Sequence, residues 1–347
     1  MIYRNLSRRK GRTILTLLGI AIGAAAIVAL GAVAGGMRAG FTTMTRGSEA
    51  DLVLTQAGAI SAMLSSFDEE VAYAAESWRE VSSVDRMLLG NTLTEDGTYL
   101  FFFGHDPQGF AVKHFRIVEG RTLADAHEVR GSPLILGRRA AANSEKGVGE
   151  SFRVSGTAFR IVGIYETGDG FEDSGAVIPL ADAQTITLQP RHVSMIYIKL
   201  RDPSGEVDVR RRVERQFPDL SVSTTAGFAD QEQMLEILEV GAMAIAGLAI
   251  VIGGVGMTNT LFMSVFERTR EIGLLRSLGW KRRRVMAMIW GESLTLALVG
   301  GLIGIGLGVG AVFVIGQSDS ILGMLGSQFT PEMFLRPLVT VTVLGLV

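Results

Sequence analysis

The chain has 347 residues, with 33 Lys and Arg against 35 Asp and Glu, 43 Gly, no Cys and a mean hydropathy of +0.33. Its charged fraction of 20%, against roughly 25% in ordinary soluble proteins, argues against a wholly water-soluble chain, and a net charge of −2 lacks the concentrated basic surface that nucleic acid requires. Without Cys there are no disulfides, thiolate nucleophiles, Cys-ligated zinc sites or Cys-held iron–sulfur clusters.

The N-terminal segment, 1–12, holds Arg4, Arg8, Arg9, Lys10 and Arg12 and no acid. Thr13 to Met37 follows as 25 residues without a charge, long enough at 1.5 Å per residue for the ~30 Å hydrocarbon core of a bilayer. It is also longer than a signal-peptide core. Residues 13–37 are therefore read as the first membrane span, behind a short basic segment of the kind that marks the cytoplasmic side.

Residues 38–239 carry 20 basic and 30 acidic side chains and alternate short strands with helices, the pattern of an acidic extracytoplasmic domain with its own core. Asp51 to Thr55 predicts a strand and Asp68 to Arg79 a helix. Val84 to Leu93 and Thr98 to Phe103 predict a strand pair around Glu95-Asp96-Gly97. Near the end of the segment Ile196, Ile198 and Leu200 alternate, Glu206 to Phe217 has helical spacing at Val209, Val213 and Phe217, and Leu220 to Thr224 extends again. These parts, 50–104 and 191–228, predict an α+β subdomain interrupted by a β-rich insertion, 105–190. Within the insertion Phe152 and Val154, then Phe159 and Ile161, alternate with Arg153 and Arg160 across Ser155-Gly156, a half-buried hairpin.

The chemistry that motifs would reveal is missing. No P-loop, G-x-S-x-G or H-E-x-x-H occurs, and His105, His114, His127 and His192 have no spacing that aims two imidazoles at one metal. No catalytic residue and no metal site is expected. Glu166, Asp169, Glu172 and Asp173 read as a solvated acidic loop, since Asp169-x-x-x-Asp173 does not follow the Ca²⁺-loop order.

Val240 to Phe266 is a second uncharged run of 27 residues, and a third span is read over 285–316. Between them, 267–284 forms a short basic loop on the cytoplasmic side. Glu267, Arg268, Thr269, Arg270, Glu271, Ile272, Gly273, Leu275 and Arg276 predict a short amphipathic helix, which Gly279 would end after Leu278. Its interspersed acids at i,i+4 suit a protein partner better than an anionic lipid surface. Residues 317–334 form an outer loop, and 335–347 start a fourth span. Only 11 residues follow Arg336, about 16 Å of helix, so this span reads as cut short. In the spans, Gly19, Gly23, Gly253, Gly254, Gly256, Gly300, Gly304 and Gly308 offer small surfaces for close helix approach, within one subunit or between two. Asn259 is expected to hydrogen-bond a neighbouring helix or its own backbone, and Glu292 to reach the cytoplasmic interface. Gly306-x-Gly308-x-x-Ala311 lies inside a span with no strand before it and is no dinucleotide fingerprint.

Ile252-Gly-Gly-Val-Gly-Met-Thr-Asn259, Ser264-Val-Phe-Glu-Arg-Thr-Arg-Glu-Ile-Gly273, Leu278-Gly279 and Gly300-Gly301 together resemble the permeases of the MacB/FtsX family of ABC transporters, also called type VII or mechanotransmission transporters. Asn5 to Thr13, Leu18 to Gly23, Arg160 to Tyr165, Val177 to Leu180 and Asp182 to Gln184 extend the similarity over nearly the whole chain. The resemblance implies a membrane protein of four spans with an extracytoplasmic α+β domain of two subdomains. It implies that 267–275 is the coupling helix for an ATPase. That ATPase is expected as a separate chain, carrying the ATP and Mg²⁺, because no ATPase domain precedes the first span here. A second permease subunit, identical or different, completes the assembly in the cell membrane, with an extracytoplasmic adaptor, substrate or hydrolase as a further partner. The implied role is export of a peptide, lipoprotein or hydrophobic compound. The alternative is control of an extracellular hydrolase or a sensor kinase.

Overall fold

In the computed structural model the described residues are 10–94, 97, 99–126, 131–230, 233–267, 269–316 and 329–346. They form two compact units, one of residues 10–35, 237–315 and 329–346 and the other of residues 36–236. The segment 1–9, the loop residues Glu95 and Asp96, His127, Arg268 and the stretch 317–328 lie outside the described residues.

The first unit is built from long apolar helices. Helix α1 is Lys10–Gly47. Its charge-free stretch ends at Met37, but the helix continues for ten residues, because a charge marks the edge of an apolar run and not the end of a hydrogen-bond ladder. Three helices among the described residues are long and apolar enough to cross a membrane, over Ile14–Gly47, Gln233–Asn259 and Arg282–Gly316.

Glycines set how closely these helices meet. A Cβ on Gly304 would lie 2.4 Å from the carbonyl oxygen of Ala21, and one on Gly308 would lie 2.8 Å from Val28 Cβ. On the same ridge, a Cβ on Gly300 would approach Ile20 Cγ2 to 3.0 Å. On another side of the helix, Gly19 meets Gly253, Gly23 meets Ala249, and Gly256 meets Thr16. These contacts all lie inside one chain, where dispersion between bared backbones replaces the missing hydrophobic drive. Gly254 is half-buried, Glu292 is half-buried, and Asn259 lies on an exposed side of its helix. The fourth helix, Pro331–Leu346, begins before the expected start of 335 and has 16 residues, about 24 Å. It packs on the third helix, where Gly301 meets Val341 and Gly345 meets Ala297.

The second unit is an α/β domain. Its strands in chain order are β1 Leu52–Gln56, β2 Phe67–Asp68, β3 Val81–Leu93, β4 Tyr99–His105, β5 Arg116–Gly120, β6 Ser132–Gly137, β7 Ser151–Val154, β8 Thr157–Glu166, β9 Ala176–Pro179, β10 His192–Val193, β11 Met195–Leu200 and β12 Leu220–Thr224. Ten of them form one mixed sheet in the order β12-β1-β11-β3-β4-β9-β6-β8-β5, with β7 paired to β8. The pairs β4–β9 and β6–β8 are parallel and the others antiparallel. Strands from 50–105 and 191–228 occupy one half of this sheet and strands from 105–190 the other. The two halves share a sheet and a core through the β4–β9 pairing.

One face of the sheet is covered by short helices, α2 Glu70–Glu76, α3 Arg138–Ser144, α4 Leu180–Ile186 and α5 Glu206–Gln216. Val71, Ala75, Leu180, Val209 and Val213 pack there against Leu54, Leu88, Phe102 and Ile196. The opposite face is aromatic. Phe101 packs tilted on Phe171 at 4.9 Å between centroids, Phe103 stands edge-on to Phe171 at 5.8 Å, and Phe115 stands edge-on to Tyr165 at 4.8 Å. Residues 36–47 of α1 complete this layer, with Phe41 at 6.1 Å from both Phe171 and Phe228. Because both faces are covered, Tyr197 is as buried as Ile196 and Ile198, and β11 is not the one-sided strand its alternation predicts.

Candidate functional site: an exposed helix and a buried polar seat

The second long helix, α6, spans Gln233–Glu267, and a nine-residue helix, α7, Thr269–Ser277, follows it. Thr269 Oγ1 donates to the carbonyls of Val265 and Phe266, joining the last turn of α6 to the first residue of α7. None of the residues of α7 is buried. Thr269, Arg270, Glu271, Gly273 and Arg276 are exposed, Ile272 and Leu275 are half-buried, and Glu267 and Leu278 flank them in the open. Arg268 lies outside the described residues. The helix stops as its sequence predicts, and the geometry shows how. Gly279 has φ +89°, its N–H donates to the Arg276 carbonyl, and the N–H of Trp280 donates to the Leu275 carbonyl. This is a Schellman cap, and its left-handed residue favours Gly.

The apolar side chains on and flanking this helix are the feature that charge patterning missed. Leu274 is 64% exposed, Leu278 72% and Phe266 73%. Three large apolar groups standing in the open beside Arg270, Arg276 and Glu271 form a mixed surface of the kind proteins dock on. The third long helix, α8, Arg282–Gly316, starts directly afterwards, with the Arg284 guanidinium over the Trp280 ring at 6.0 Å.

A second polar constellation lies in the α/β unit, and it corrects the reading of a solvated acidic loop. Glu172 is fully buried and Asp173 nearly so. The Asp173 carboxylate accepts from Thr167 N (2.7 Å), Thr167 Oγ1 (3.0 Å) and Gly168 N (3.3 Å), so it folds its own loop. Asp169 accepts from Phe171 N at 2.8 Å, and Glu166 bridges Arg116 and Arg138 at the surface. Glu172 Oε1 is 2.8 Å from Nε2 of His114, whose Nδ1 is 2.7 Å from the carbonyl of Ala111. The partner of Glu172 comes from 58 residues away, where no sequence spacing could pair them.

The surroundings tune these groups. Burial opposes a charge on His114, but the bond to Glu172 and its charge hold the imidazole pKa above its ordinary value. His105 is buried without an acid partner, and burial, with the charge of His114, pushes its pKa down to about 3. Burial keeps the Tyr165 phenol neutral as it donates to the Glu172 carbonyl at 2.6 Å. His192 is bound to a backbone carbonyl at the surface, and His127 lies outside the described residues. Among the described residues no three His, Asp or Glu side chains converge as metal ligands.

Comparison with known proteins agrees with both units. The MacB-like periplasmic core domain matches residues 13–216, and the FtsX-like permease C-terminal domain matches residues 243–347. The macrolide export ATP-binding/permease protein MacB of Rhodospirillum rubrum is 26% identical over 359 residues, covering 95% of this chain and 54% of that protein. The uncharacterised ABC transporter permease YknZ of Bacillus subtilis is 24% identical over 342 residues, covering 91% of this chain and 86% of that one. The periplasmic region of MacB from Actinobacillus actinomycetemcomitans superposes with a TM-score of 0.43 at 14% identity, over 52% of this chain and 91% of that one. The chain spans about half the length of the MacB relatives it matches.

Proposed function

Because the chain belongs to the MacB/FtsX family of ABC transporter permeases, we propose that it carries motion from an ATPase in the cytoplasm to its extracytoplasmic domain, to drive export of a peptide, lipoprotein or hydrophobic compound. The observation that carries this reading is α7. A nine-residue helix with no buried residue, closed by a Gly cap between two long apolar helices, leaves most of its surface open to a partner. The ATPase is a separate chain that holds ATP and Mg²⁺, and two permease subunits face two ATPase subunits. Closure of the ATPases displaces α7, and the long helices pass that displacement outward. The name of the relative MacB, a macrolide export protein, supports export as the outcome.

The charge distribution supports a topology with the basic 1–12 and 267–284 segments in the cytoplasm and residues 38–239 outside. The coupling assignment is tested by co-purification with the neighbouring ATPase from membranes. Glu267→Lys with Glu271→Lys, and separately Leu274→Asp, are expected to weaken capture about tenfold or more, a loss of about 1.4 kcal/mol or more. The thermal midpoint of purified Leu274→Asp permease should not change, since Leu274 is 64% exposed. If ATPase capture and substrate-dependent ATP turnover both survive these changes, α7 is not the coupling element.

A further inference from the structure

The mechanism above makes no use of His114, and the hydrogen bonds of this residue are unusual. Both ring nitrogens sit within hydrogen-bond distance of groups that accept, the Ala111 carbonyl at 2.7 Å and the Glu172 carboxylate at 2.8 Å. A neutral imidazole has one donor, so it can satisfy only one of them. The arrangement therefore holds an extra proton, carried by the ring as imidazolium so that both nitrogens donate, one of them to the Glu172 carboxylate. The site is largely shielded from water, with the His114 side chain 11% exposed and that of Glu172 not at all. Glu172 Oε2 has no hydrogen-bond partner among the described residues, so His114 is the only side chain that compensates this carboxylate.

The position of the pair gives it a consequence. The 111–114 turn carries His114 and the 172–174 turn carries Glu172. Residues 36–47 of α1 rest on both. A Cβ on Gly47 would lie 2.7 Å from the His114 ring, and one on Gly40 would lie 3.1 Å from Phe171, the residue before Glu172. The far side of the 111–114 turn is anchored to the sheet, because Asp85 on β3 accepts from Ala111 N at 2.8 Å. We propose that His114 and Glu172 form a proton-held latch that fastens these two turns into a single seat for the outer end of α1, and that loss of the shared proton opens it.

The other titratable groups on the elements around the pair are already committed. Asp173 and Asp169 are bound to backbone N–H groups of their own loop, and Tyr165 donates to the Glu172 carbonyl. His105, on β4, is kept neutral by burial. Lys113, Arg46 and Glu49 are exposed. Without the proton, either the Nδ1 lone pair faces the Ala111 carbonyl or the Glu172 carboxylate loses its donor. Either outcome leaves a buried polar group unpaired. The raised pKa of His114 sets the direction: the latch is closed below that value and opens as pH rises through it.

The full chain in detergent micelles, labelled with ¹⁵N-histidine, tests this with only four histidines to resolve. One ring is expected to keep protons on both nitrogens above about pH 6.5, the ordinary imidazole value, because its pKa is raised. If no ring keeps its second proton above about pH 6.5, the latch does not exist. Hydrogen exchange then reads the mechanical claim. Between pH 6 and 9, after correction for intrinsic rates, protection of amides 40–49 should fall about tenfold or more in the wild type, and the same pH step should leave Glu172→Gln unchanged. Equal pH dependence in both proteins would overturn the latch. If Glu172→Gln does not fold, the wild-type ring titration decides alone.

Discussion

Asp85 shows at the scale of one residue what burial does to an acid. It is 2% exposed and accepts from Ala111 N and Arg86 N, each at 2.8 Å. Burial outweighs those bonds and pushes its pKa up to about 6. The folded chain thus binds a proton more tightly at Asp85 than the unfolded chain does. Its contribution to stability is greatest below the ordinary carboxylate range near 4 and falls as pH rises through about 6, by up to about 3 kcal/mol. The unfolding midpoint of the wild type is expected to drop more steeply between pH 4 and 6 than that of Asp85→Asn, measured by thermal denaturation across that window. Asn at this position starts from a lower midpoint, because its amide N–H₂ meets a backbone N–H. Neither Asp85 nor Glu172 is legible as a buried acid in the sequence. Each sits beside ordinary polar neighbours, and what buries it arrives from 26 and 58 positions away.

At the scale of elements, local patterns carried more information. The hairpin β7–β8 forms where Phe152, Val154, Phe159 and Ile161 predict it, with Ser155 at φ +49° and Gly156 at φ +80° in the two-residue turn. Two adjacent positive φ angles are the signature of a type I′ turn, whose twist matches that of the strands. The strand pair β3–β4 and the helix α5 also follow their apolar spacing, because each buries its own periodic face. Helix lengths were less legible, since charges report where lipid ends. The glycine ridge of α8 yields a paired test. Gly304→Ala places a methyl 2.4 Å from the Ala21 carbonyl, whereas Gly306→Ala meets nothing within 4 Å. Overpacking of this kind typically costs about 1–3 kcal/mol, so Gly304→Ala and Gly308→Ala are expected to lower the thermal midpoint in micelles. Gly306→Ala should hold it or raise it slightly, by the roughly 1 kcal/mol preference of Ala over Gly in a helix. Equal midpoints for the three variants would show that the ridge does not set the packing.

For the whole molecule, segregation of charge was the most informative property, because topology depends on where charges lie and not on their sum. The absence of Cys makes that topology directly measurable. Single Cys residues introduced at Leu188, which is 87% exposed, and at Ser277 are expected to differ in whole cells. An impermeant maleimide should label the first in intact cells and the second only after lysis. The reverse pattern would invert the proposed orientation. The union of the two β-rich parts in one sheet was not legible, since the parallel β4–β9 pairing joins Phe102 to Ala176 with no local signal at either end. The placement of β1 has a further consequence, for synthesis. Leu52 pairs with Ile198 on one side and Thr224 on the other, so β1 emerges about 170 residues ahead of its last partner. At typical translation rates of ~5–20 residues per second that interval is roughly 10–30 s. For that time Leu52, Val53 and Leu54, all fully buried in the finished domain, present two unpaired strand edges. Newborn chains of this protein should therefore depend on holdase chaperones until β12 arrives.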